Sequence, residues 1–152
     1  MTAHRPQIFG IVNITEDSFS DGGQFLNPEA AIAHAADLLA AGADVLDIGP
    51  ASSHPDARDV SADEEIERLS AIWPGLRAMG CALSVDSFQP ETQKWALAQD
   101  ADWLNDINGF CDPQMHELLA DASCSLVVMH AIQAKGIATR AAAPPGDIWE
   151  HI

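Results

Sequence analysis

The sequence predicts an α/β fold built on a parallel sheet, and three observations carry that reading. Short, continuous apolar runs recur along the 152 residues, each the length of a strand rather than a helix. Between them lie stretches with helical periodicity, so strand and helix alternate, as crossover-connected parallel strands require. Three of those stretches open on a helix-capping residue: Asn27, Ser61 and Asp112.

The first run, Ile8–Ile14 (IFGIVNI), reads as a strand buried on both faces. Asn27-Pro28-Glu29 then supplies a cap, a first-turn Pro and an acid at the positive helix end, and the helix stops at Gly42. Asp44–Gly49 (DVLDIG) is the second strand. Ser61 and Glu64 form a capping box for a helix whose stripe is Ile66, Leu69, Ile72, Trp73, Leu76 and Met79. The acids Asp63, Glu64, Glu65 and Glu67 read as a first turn favoured by the helix dipole. Ala82–Asp86 is the third strand, and Pro90 starts a helix carrying Trp95. Trp103–Ile107 is the fourth strand, Asp112-Pro113 opens the fourth helix, and Ser125–His130 (SLVVMH) is the fifth strand. From about Asp147 another helix begins. Trp73, Trp95 and Trp103 are read as packing residues. The repeat of roughly 25–40 residues suits a (β/α)8 barrel or a doubly wound sheet.

Composition narrows the partners. Seven basic residues against 23 acidic ones give a net charge of −16, which argues against nucleic acid and against an anionic membrane surface. A phosphorylated substrate would need a cation brought from elsewhere. Cys81, Cys111 and Cys124 are odd in number and unpaired by motif, so a reducing cytoplasm fits best. No apolar run reaches membrane-spanning length.

In parallel α/β folds ligands sit at the carboxyl ends of the strands. Here all five ends are polar or chemically able: Asn13; Asp47 with Gly49; Asp86 with Ser87; Asn105 with Asp106; Met129 with His130. Gly10–Gly23 (GIVNITEDSFSDGG) adds a long polar loop after the first strand, suited to a mobile lid. His130 reads as a structural residue at the rim.

These motifs also carry a resemblance. GIVNITEDSFSDGG, the strand end DIG, SVDSFQPE, the pair NDI and the strand end VVMH resemble, in order and approximate spacing, the dihydropteroate synthase family of folate biosynthesis. The resemblance implies a (β/α)8 barrel, with this chain, residues 1–152, as its N-terminal part: about five strands and four to five helices, strands six to eight being absent. A whole barrel usually needs about 250 residues. It implies a transferase that joins 6-hydroxymethyl-7,8-dihydropterin diphosphate to p-aminobenzoate and releases diphosphate. Asp86 and Asn105 would hydrogen-bond the pterin, and Ile107, Val127 and Met129 would line its slot. Asn13 would help hold the diphosphate and Mg2+. Phe19 would cover the p-aminobenzoate site, with Ser53 and Pro55 contributing. A homodimer is implied for the full-length family.

The second loop departs from the family's Gly-Glu-Ser-Thr-Arg-Pro: it reads GPASSHPDAR, with the Glu missing and His54 in place of the Arg. That loop, Thr15-Glu16-Asp17 and NDINGF resemble the sulfonamide-insensitive branch, which implies drug resistance. Two alternatives stay open: a pterin-binding methyltransferase-like domain, and an inactive half-barrel that binds pterin. The family's later basic residues have no counterpart here, which keeps the second alive.

Overall fold

A computed structural model of the chain describes residues 5–15, 27–52 and 57–129. Phe19, Ser53, His54, Pro55, His130 and the helix expected from Asp147 lie outside the described residues. Nine elements alternate: β1 (Phe9–Asn13), α1 (Pro28–Ala40), β2 (Val45–Gly49), α2 (Ala62–Arg77), β3 (Ala82–Asp86), α3 (Pro90–Ala98), β4 (Trp103–Asp106), α4 (Pro113–Ala120) and β5 (Ser125–Val128).

Local chemistry sets the helix starts. The Asn27 side chain accepts from the Glu29 and Ala30 N–H groups at 3.0 and 3.3 Å. The Asp112 carboxylate accepts from the Gln114 N–H at 2.9 Å. Ser61 Oγ accepts from the Glu64 N–H at 3.3 Å. The return bond of a capping box is replaced: the Glu64 carboxylate takes hydrogen bonds from Arg58 and Arg68 instead.

All strands pair in parallel, in the spatial order β1-β2-β3-β4-β5. A doubly wound sheet reverses its order at a switch point. This sheet never reverses, so it is an open half of a (β/α)8 barrel. Two contacts measure its curl. The Phe9 and Trp103 rings meet edge to face with centroids 5.2 Å apart, although β2 and β3 lie between their strands. A flat sheet would separate β1 from β4 by roughly 14 Å. Asn105 on β4 likewise reaches Asp47 on β2 across β3.

The helix-facing side of the sheet is the core. Val12, Leu46, Ile48, Leu83, Val85 and Leu104 are fully buried with Leu69, Ile72, Trp73 and Leu76 of α2. Burying each such aliphatic side chain is worth about 1.5–3 kcal/mol. Trp73 meets Trp95 edge to face at 5.4 Å, tying α2 to α3. β2 is buried along its whole length. The expectation for the first strand is corrected: β1 alternates, with Val12 fully buried but Ile11 60% exposed. It is an edge strand whose inner side faces the open barrel interior, so only one of its faces is covered.

Candidate active site

Side chains on a strand alternate faces, so each strand sends every second residue into the barrel interior. The register places Ile11, Asp47, Ser84 and Trp103 in one row across β1 to β4. Two residues further on, β3 and β4 present Asp86 and Asn105 as register partners. β5 places Val127 beside Asn105. The interior face therefore collects Asp47, Asp86 and Asn105 near the carboxyl ends, while the opposite face holds Val12, Leu46, Ile48, Leu83, Val85 and Leu104, with Asp106 at its end.

A cavity of about 400 Å3 opens there, lined among others by Asp86, Asn105, Ile107, Met129, Phe88 and Arg58. Asp86, Asn105, Ile107 and Met129 are thus brought together around one space. Val127 is half-buried next to Asn105 and does not line the cavity.

Asp86 is the electrostatic centre. Burial in the first place, then the negative charges of Asp47, Asp106 and Glu65, push its carboxyl up to about 7. A group poised near neutrality by desolvation and like charges, in a cleft, marks a candidate functional residue. Asn105 Nδ2 donates to Asp47 Oδ2 at 3.0 Å. Asp47 Oδ1 and Ser84 Oγ are buried without a hydrogen-bond partner among the described residues.

The loop that follows Asp86 is anchored from below by a residue that the sequence places among the acids of a first helix turn favoured by the dipole. Glu65 is 1% exposed. Its Oε2 accepts from Ser87 Oγ at 2.6 Å and from Thr92 Oγ1 at 2.7 Å. Gln93 Nε2 donates to the Ser87 carbonyl at 2.8 Å and to Asp106 Oδ2 at 3.0 Å. The Ser87 N–H donates to the Asn105 carbonyl at 3.0 Å. α2, α3 and the loops after β3 and β4 are thereby fastened together behind Asp86. The signal was present: Glu65 falls in step with Leu69, Ile72 and Leu76 on the buried stripe.

Asp106 belongs to this scaffold and not to the cavity. Its carboxylate accepts from the Asn108 and Phe110 N–H groups at 2.7 and 3.0 Å. Adjacent strand residues point to opposite faces, so the NDI pair splits into one cavity residue and one structural residue.

The loop after β2 is held by arginines. Arg68, buried, donates to the Pro50 carbonyl at 2.7 Å and to Glu64 Oε1 at 2.6 Å. Arg58 forks onto both oxygens of Glu64 at 3.0 and 2.6 Å. Their hydrogen bonds and charges, Arg58 foremost, hold the Glu64 carboxyl below the usual range.

Asn13 stands exposed at the end of β1. Its Oδ1 lies so close over Gly49 that a Cβ there would come within 2.8 Å. The glycine of DIG is therefore what admits the Asn13 side chain. No group of three or more His, Cys, Asp or Glu side chains suited to a metal occurs among the described residues. Asn13 offers one amide oxygen; Mg2+ takes few protein ligands, chiefly carboxylates, and keeps waters and substrate phosphates as the rest.

The chain is 56% identical over 145 residues to dihydropteroate synthase type-2 of Escherichia coli, covering 95% of this chain and 53% of that protein. The solved dihydropteroate synthase of Xanthomonas albilineans with 4-aminobenzoic acid superposes with a TM-score of 0.77 at 40% identity, over 89% of this chain and 51% of that one. The same enzyme in complex with 7,8-dihydropteroate gives 0.71 at 40% identity, over 86% and 47%. The chain thus spans about half the length of the relatives it matches. Residues 9–148 match the family described as pterin binding enzyme, and the chain belongs to that family.

Proposed function

We propose that this chain forms the pterin-binding half of a dihydropteroate synthase barrel. The observation that carries the reading is the interior-face constellation: Asp86 and Asn105, paired in register, lining one cavity with Ile107 and Met129. A pterin edge offers N–H donors and ring acceptors in one plane. A carboxylate takes the donors, and an amide serves both kinds. Ile107 and Met129 supply apolar contact for the ring faces.

In the reaction, the p-aminobenzoate amine forms a C–N bond to the pterin methylene carbon. The C–O bond to diphosphate breaks, diphosphate leaves with the electron pair, and the amine gives up a proton. Positive charge developing on the pterin is stabilised by ionised Asp86, held in a site of low dielectric. Mg2+, when bound, would neutralise charge on the departing diphosphate. Asn13 would present an oxygen to it from the end of β1. Phe19, Ser53 and Pro55 are proposed to contact the amine substrate. The relatives are named as synthases, which disfavours the methyltransferase reading. We place the chain in the sulfonamide-insensitive branch on two grounds: the altered second loop, and 56% identity to a type-2 enzyme.

The test is synthesis of dihydropteroate from the two substrates with Mg2+, by the protein as its gene produces it. Turnover that falls about 100-fold in Asp86→Asn is expected. Pterin binding without any turnover would instead favour a binding half-barrel.

A further inference from the structure

Asp47 is an odd residue for its place. It is 7% exposed in the middle of β2, between Ile11 and Ser84 in register. Its Oδ1 has no hydrogen-bond partner among the described residues. Its charge also opposes the ionisation of Asp86. A buried, half-satisfied carboxylate beside another acid weakens a fold, and an apolar residue of similar size would be more stable there. The residue is explained by what its other oxygen does. Oδ2 accepts from Asn105 Nδ2 at 3.0 Å, across the intervening strand.

That bond settles which way the Asn105 amide faces. An amide can turn over with almost no change of shape, exchanging donor for acceptor. An ionised carboxylate only accepts, so the amide nitrogen must face Asp47. Asn105 Oδ1 and the second N–H then stand in fixed positions beside the cavity. We propose that Asp47 is a positioning residue for pterin recognition: it locks Asn105 in one of its two flips, so that the ligand meets the acceptor and the donor in one arrangement only. This rests on the pterin reading above.

The experiment is a double-mutant cycle read by calorimetric titration with 6-hydroxymethylpterin, using the protein as its gene produces it. Asp47→Leu is expected to weaken binding about tenfold, the worth of one oriented hydrogen bond. Asp47→Asn, whose own amide can turn over and so leaves both flips of Asn105 open, is expected to weaken binding in the same direction. With Asn105→Ala in place, Asp47→Leu adds less than a twofold loss. Multiplying losses in the double variant, or Asp47→Asn binding as tightly as wild type, would overturn the proposal: the first makes Asp47 act by its charge or by direct contact, and the second shows that the flip needs no acceptor-only partner. If Asp47→Leu does not fold, the unsubstituted protein decides by NMR. An Asn105 side-chain N–H that is slow to exchange without ligand and shows a hydrogen-bond coupling or cross-relaxation that places Nδ2 against Asp47 supports the lock; two N–H protons that both exchange rapidly refute it. A wild-type protein that binds no pterin would sink the functional reading, and the amide signals would then still report whether Asp47 holds Asn105.

Discussion

The two faces of the same sheet differ in kind. On the helix side, Leu46, Ile48, Leu83, Val85 and Leu104 are fully buried and wholly apolar. On the interior side, one residue away along each strand, stand Asp47, Ser84, Asp86 and Asn105. There burial leaves a carboxylate oxygen and a hydroxyl without a partner among the described residues, and an acid raised to about 7. The contrast teaches how a period-two element divides its tasks: one face supplies stability, and the other uses part of it to hold polar groups where a ligand can take them. Substitutions on the two faces should therefore shift stability in opposite directions.

The largest effect is expected from the helix side. Leu83→Ala should lower unfolding free energy by about 2–5 kcal/mol in denaturant titration. A loss below about 1 kcal/mol would mean the core is not where the sheet places it.

Asp86→Asn should do the reverse. Its folded pKa of about 7 lies above the ordinary 3.8. The stability linked to that proton is fully present below about 3.8 and lost as pH rises through about 7. Above pH 7 the Asn variant should therefore be more stable than wild type, by an upper bound on the order of 4 kcal/mol. The gap should close toward pH 4. Equal melting temperatures at pH 8 would contradict the interior-face account.

How much of this was legible in the sequence follows from the range of each interaction. Asn27, Ser61 and Asp112 were readable as caps because a cap is settled within three residues. The alternation of strand and helix and the polar strand ends were readable from period and punctuation, whereas the unreversed order of the sheet was implied only by the resemblance. Asp86 and Asn105 were named through motifs, not through geometry. The split of Asn105 from Asp106 follows from strand alternation alone, yet the adjacent polar letters suggested one group. Glu65 was missed because four acids in one helical turn look alike until the stripe is counted. The Asn105 to Asp47 bond joins residues 58 apart across a curled sheet, and no local pattern announces it. The exposure of Ile11 depends on which strand stands at the edge.

Glu65 sharpens the comparison at its boundary, since it is a buried acid whose partners are satisfied. Glu65→Ala should cost about 1–3 kcal/mol by leaving the Ser87 and Thr92 hydroxyls unpaired. It should also weaken pterin binding by loosening the loop that follows Asp86. A variant of normal stability would show that the network is dispensable.

The smallest stability effect belongs to Arg58, whose pair with Glu64 is half-exposed. Arg58→Ala should change stability by less than about 1 kcal/mol, and less again at high salt. A larger loss would show that this arm of the loop carries more of the fold than its exposure suggests.

The most direct test is a calorimetric titration of 6-hydroxymethylpterin from pH 6 to 8, in wild type and in Asp86→Asn. The account predicts wild-type affinity that rises with pH through about 7 as Asp86 ionises, and binding in the Asn variant that is weak and flat with pH. Equal affinity and equal pH dependence in the two proteins would contradict the claim that this strand end receives the pterin.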